Sequence, residues 1–346
     1  MDTPPPITVM TRREMLSPYK DGLPETFHRV AKRGVNWGLP RRFRNYRASS
    51  QQQMSIGGAA TKCFLSVPGG GRAGTYVAKF ADKNGAIETY TELFNNQFGK
   101  VLGFDMAHSG VATLDGVLHF LSRSFFQSED ENLIHGSLMV EQLGLAKEEE
   151  MVHIKTVHQQ QGIYDIDFVE IVIREFCGAD FDSVFEKFLT MLVFDCLIGS
   201  MDRHPRNWGV IRPSKEPVHF RFAPIYDSAR ALLWDYPDEK VKRIVANEAD
   251  LQRYVKRSAP RIGLPGKKAR CDHFELMAHL ASKRKAFVIN ALDKLPSGTL
   301  GLASELLHRW PFSNVFTGER KRAIMMIIDI RLTALLTIAK EGRLAC

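Results

Sequence analysis

No two of the five cysteines (Cys63, Cys177, Cys196, Cys271, Cys346) form a CxxC pair, and their number is odd. That excludes a disulfide framework and a cysteine zinc site as organising devices, and a reducing, cytoplasmic compartment is the expectation. The opening stretch "MDTPPPITVMTRREMLSPYKDG" lacks the apolar core of a signal peptide. No membrane span is expected either. The most apolar late run, "AIMMIIDIRLTALLTIA" at 323–339, carries Asp329 and Arg331 and reads as a buried core helix. Internal repeats of fixed period are also missing.

Acidic residues are absent between Glu25 and Asp82, a stretch that holds ten lysines and arginines from Arg29 to Lys79. Trp37, Phe43 and Tyr46 are interleaved among them. The plain reading is a solvated basic arm. The alternative is a grip on nucleic acid or an acidic partner through residues 29–47. Overall the 346 residues are 44% hydrophobic and 25% charged with net charge +8, which excludes a wholly disordered chain.

Three segments follow from composition and pattern. Residues 1–50 are a Pro- and Arg-rich arm. Residues 51–127 are β-rich: "CFLSV" and "TYVAKF" flank the turn "PGGGRAG", a helix covers 85–102 and ends at Gly103, and two strands flank Asp115-Gly116. Residues 128–346 are mainly helical, with helices expected at 182–198, 243–256, 272–293, 301–309 and 319–341. Ser183 and Glu186 have capping-box spacing for the first of these. A β-rich half followed by an α-rich half is α+β with two lobes, and ligands favour the cleft between lobes.

The chemistry concentrates in "IGSMDRHPRNWG" at 198–209. Pairing "WGVIR" with "HFRFA" as a hairpin sets Arg212 opposite His219 and Trp208 opposite Ala223. Asn207 then lies at the same end as Asp227, beside Asp202. Two carboxylates and an amide at one spot suit phosphoryl transfer with Mg²⁺, which takes few protein oxygens and completes its shell with phosphate. A base Asp, a metal-binding Asn five residues later and a second Asp across a short hairpin is a kinase spacing. Taken alone, Asp202 and Asn207 would be turn residues and Asp227 a helix cap.

Upstream, "MSIGGAATK" opens a strand with small residues whose N–H groups could reach phosphate oxygens, and "YVAKF" sets Lys79 in the next strand. Glu88 and Glu92, one turn apart on the following helix, are both candidate partners for Lys79. The order of parts is more specific than any one of them.

Together "MSIGGAATKCFL", "YVAKF", "FDCLIGSMDRHPRNWGVI" and "FAPIYDSARALL" resemble the HipA-like serine/threonine kinases, bacterial toxin kinases with a two-lobed, protein-kinase-like fold. The resemblance covers about 54–340. It implies Asp202 as catalytic base and His204 as the catalytic-loop histidine that braces it. Asn207 and Asp227 would hold Mg²⁺. Lys79, Glu92, Ser55, Gly57, Gly58 and Lys62 would form the ATP site, with Glu92 the partner of Lys79. Ser55 falls at the family's autophosphorylated serine, where a phosphate dianion cannot share the loop with ATP and would switch the enzyme off. Ser200 and Ala60-Thr61 depart from the family's usual residues.

The resemblance also implies a protein substrate, such as a translation component, and a helix-turn-helix antitoxin as partner. Similar D-R-H-x-x-N loops occur in phosphoinositide kinases, so a lipid or small-molecule acceptor is the alternative. A catalytically dead basic binding module is a further one; it would bind with strong salt dependence and without regard to ATP.

Overall fold

A computed structural model describes residues 47–49, 61–67, 74–80, 85–114, 117–128, 130–145, 161, 163–267, 269–293 and 295–344. Ser55, Gly57, Gly58 and nearly all of the basic arm lie outside these residues. So do Ala60 and Asp115-Gly116.

The N-terminal part is a five-stranded antiparallel sheet of order β1-β2-β3-β5-β4. Its strands are β1 (Arg47–Ser49), β2 (Thr61–Val67), β3 (Gly74–Phe80), β4 (Ser109–Leu114) and β5 (Val117–Arg123). The β4–β5 ladder runs to the pair Leu114–Val117. Helix α1 (Gly85–Val101) packs on this sheet. The chain leaves it at Gly103, whose φ of +86° is a conformation that glycine adopts without a Cβ penalty. Phe94 and Phe98 stack at 5.6 Å, fixing the apolar side of α1.

A second, three-stranded antiparallel sheet joins β6 (Glu131–His135), β7 (Gly209–Pro213) and β8 (Arg221–Phe222). The hairpin register differs by one from the sequence expectation. Val210 pairs with Phe222 and Ile211 with Arg221, so Arg212 does not face His219, nor Trp208 Ala223. The β7–β8 ladder is only two pairs long, while β6 pairs β7 over five residues. The long partner sets the position of β7, and no alternation in "HFRFA" could announce it.

The remainder is helical: α2 (Gly136–Gln142), α3 (Ile166–Cys177), α4 (Phe181–Ile198), α5 (Asp238–Ala246), α6 (Glu248–Arg257), α7 (His273–Lys283), α8 (Lys285–Asp293), α9 (Thr299–Leu307), α10 (Phe312–Val315) and α11 (Gly318–Leu344). Two expected single helices are pairs. Asn247 breaks the first by accepting N–H bonds from Ala249 and Asp250 with its side chain, which starts α6 afresh. The second breaks at Arg284. Helix α4 begins at Phe181, so Ser183 lies inside its first turn and is not the cap.

Helix α4 is the axis of the core. Thirteen of its residues are buried, and each large apolar side chain so buried contributes about 1.5–3 kcal/mol. Phe188 meets Trp208 edge-on at 4.8 Å, joining α4 to the residue before β7. No helix among the described residues is long and apolar enough to cross a membrane.

Candidate active site

Strand β3 and helix α1 bring the first group together. Lys79 Nζ is 2.7 Å from Glu92 Oε1 and 3.0 Å from Asp227 Oδ1. Lys79 is 8% exposed and Glu92 4%. Burial pulls the lysine pKa down, but Asp227 and Glu92 outweigh it and hold the ammonium above its usual range. Of the two candidates on α1, Glu92 makes the pair. Glu88 is half-buried, and its carboxyl is raised first by burial, with Asp227 and Asp202 adding to that against Arg230 and Lys79. Lys62 stands opposite Lys79 in the β2–β3 register.

Asp227 is delivered by a chain of backbone and amide ties. Asn95 on α1 donates to the Ser228 carbonyl at 2.7 Å. Ala107 donates to Ile225 at 3.0 Å, and Ile225 to Asp105 at 2.7 Å. Asp227 itself has φ +57°, a left-handed conformation that aspartate tolerates better than most residues. The segment after β8 is therefore sewn to the sheet part beside Lys79.

The second group lies in the loop after α4. Gly199 ends that helix at φ +67°. Asn207 Nδ2 donates to the Asp202 carbonyl at 2.7 Å, which leaves Oδ1 as the atom suited to a cation. His204 is half-buried, and its Nδ1 accepts from the Arg206 N–H at 3.2 Å within the same turn. The Asp202 carboxylate takes Arg230 on Oδ2 at 3.0 Å and Arg261 on Oδ1 at 3.3 Å.

Arg203 ties the two groups to each other. Fully buried, it grips Asp195 of α4 with Nε at 2.8 Å and Nη2 at 2.9 Å. Its Nη1 donates to the carbonyls of Asn207 at 2.7 Å and Tyr226 at 2.6 Å, and Nη2 reaches Ser228 Oγ at 3.1 Å. One side chain thus fixes the loop bearing Asp202 and Asn207 against the segment bearing Asp227.

Among the described residues no cluster of three or more His, Cys, Asp or Glu side chains has metal-binding geometry. The fit to Mg²⁺ rests on the donor set: one amide and one carboxylate oxygen, on segments locked together by Arg203. Two protein oxygens suit a magnesium ion that keeps phosphate and water ligands.

The model of the HipA-like C-terminal domain matches residues 54–293. The chain belongs to that family. Among solved structures, the proinflammatory kinase CtkA of Helicobacter pylori is similar over 88% of this chain and 98% of that one, with a TM-score of 0.69 at 15% identity. The toxin–antitoxin HipA of Shewanella oneidensis MR-1, solved with HipB and operator DNA, is similar over 97% of this chain and 85% of that one, with a TM-score of 0.53 at 12% identity. Both likenesses show the fold, which is the mixed, two-lobed, kinase-like one. No curated protein sequence matches the chain.

Within this HipA-like frame the sequence pattern missed Arg203, Asp195, Arg230 and Arg261. A signal existed for one pair. Asp195 is an acid inside the apolar run "FLTMLVFDCLIG", and a buried carboxylate demands a cation or several N–H donors. Arg230 and Arg261 reach Asp202 from distant segments and leave no local pattern.

Proposed function

We propose that this chain is an ATP- and Mg²⁺-dependent protein serine/threonine kinase. The observation that carries the reading is the Lys79 ammonium held between Glu92 and Asp227, with Asp202 and Asn207 on one loop braced to the Asp227 segment. In this reading Lys79 binds the phosphates of ATP, and Glu92 aims it. Asp202 takes the proton of the attacking hydroxyl as the new oxygen–phosphorus bond forms and the bond to the bridging oxygen of ADP breaks. Mg²⁺ held by Asn207 and Asp227 would neutralise charge on the transferred phosphoryl group. His204 closes the turn that presents Asp202. Ser55 is the proposed autophosphorylation site, next to Gly57 and Gly58 in the proposed phosphate loop.

The HipA neighbour was solved with HipB and operator DNA. By that likeness the proposed partner is an antitoxin of helix-turn-helix type, and the proposed setting is the cytoplasm.

Asp202→Ala tests the reading. Loss of a general base lowers the rate by about 10²–10⁴-fold, measured as phosphate transfer from Mg·ATP to a protein acceptor, while nucleotide binding persists. Full activity in this variant would sink the assignment.

A further inference from the structure

Two arginines hold the Asp202 carboxylate, and two more lie near one of them. Arg230 and Arg261 bind its two carboxylate oxygens, and Arg261 Nε also donates to the Met201 carbonyl at 3.1 Å. Arg257 and Arg261 both act on the charge of Arg270, and Arg270 donates to the Arg257 carbonyl. Arg270 is an exposed residue whose guanidinium is held below its usual range by partial burial and then by Arg257 and Arg261. Glu88 faces Arg230, and burial raises its carboxyl above the ordinary value. Asp272 faces Arg270, yet its Oδ1 already accepts the Phe274 and Glu275 N–H groups that start α7.

Neighbouring guanidiniums repel one another, and an anion between them relieves this, as Asp202 does for Arg230 and Arg261. Guanidinium is also the side chain best matched to carboxylate and phosphate, through paired N–H donors. We propose that Arg230, Arg261, Arg257 and Arg270 form the wall of the acceptor site and read an acidic side chain next to the serine or threonine to be phosphorylated. The proposal rests on the kinase reading and adds the substrate class to it. An acceptor hydroxyl bonded to Asp202 lies beside both arginines that hold that carboxylate, so the neighbouring residues of its chain meet them. Arg261 and Arg230 have side chains only 17% and 29% exposed. A flexible peptide reaches into such a position; the flat face of a bilayer does not.

The test uses the full chain and three labelled peptides that share one serine, flanked by glutamates, alanines or lysines. Binding is read by fluorescence anisotropy and phosphate transfer from Mg·ATP in parallel. The glutamate peptide is expected to bind about tenfold or more tighter than the alanine peptide, as charge-assisted bonds allow. That preference should vanish in Arg261→Gln/Arg270→Gln and partly return with lysine at both positions. Arg257→Gln/Arg270→Gln, two exposed positions, supplies the same comparison if the first variant does not fold. Equal binding of glutamate and alanine peptides, or a preference indifferent to these substitutions, would overturn the proposal. So would variant-sensitive binding to phosphoinositide vesicles without any peptide preference. The kinase reading fails separately: variant-sensitive acidic binding with no transfer would sink that reading alone, and transfer without acidic preference would sink the acceptor wall alone.

Discussion

Lys79 has two carboxylates within 3.0 Å, so it stays an ammonium throughout the neutral range and serves as a fixed charge, not as a base. Asp202 carries an arginine on each of its carboxylate oxygens. The spacing Asp202 to Asn207 and the strand lysine were legible because each is a local pattern. The arginines were not, because a long side chain can close a contact across any number of intervening residues. His273 is a further residue that no pattern revealed. Its Nε2 lies 2.8 Å from the Ser200 carbonyl, and burial, then Arg331, holds its pKa well below the usual value. Folded His273 therefore stays neutral where the unfolded chain takes up a proton. Below about pH 6.5 the unfolded state binds more protons, so stability falls with falling pH and is flat above. Denaturant unfolding at pH 7.5 and 5.5 should show this slope, up to about 1.4 kcal/mol per pH unit, reduced in His273→Gln. An unchanged slope in that variant would contradict the account.

Helix α4 is the element on which the site depends, since the Asp202 loop begins at its last residue. Arg331 of α11 sits fully buried against that end. It donates to the carbonyls of Cys196 at 2.9 Å and Val255 at 2.7 Å. A cation at a helix C-terminus also meets the negative end of the helix dipole. Gly199 is where the packing is tightest: a Cβ there would meet the Arg331 guanidinium at 2.7 Å, on a backbone with φ +67°. Gly199→Ala should cost about 1–3 kcal/mol of stability and lower phosphate transfer, read by thermal unfolding and a rate assay on one preparation. Retention of both would show that this junction does not set the loop. Helix α4 was readable as an apolar run with one acid. Helix α3 was not, because Val169, Ile171, Val172 and Ile173 are β-branched and mimic a strand. The β7 register was missed for a related reason: its main partner, β6, is the short polar stretch "ENLIH".

At the scale of the molecule, the order of parts was legible before their contacts were: lysine strand, glutamate helix, apolar helix, loop, hairpin, aspartate. Order survives in sequence because each part has its own composition. What joins them is three-dimensional, namely the five-stranded sheet, the α1 amides that hold Ser228 and Ala107, and the buried Arg203. The chain belongs to the HipA-like C-terminal domain family and shares its fold with CtkA and HipA. The central claim is that this assembly transfers phosphate from ATP to a hydroxyl. Intact-mass spectrometry of the protein after incubation with Mg·ATP, beside Asp202→Ala, tests it most directly. The account predicts a gain of one or more phosphates in the unsubstituted protein only, mapping to Ser55. Equal gain in both proteins, or none in either under conditions where ATP binds, would contradict it.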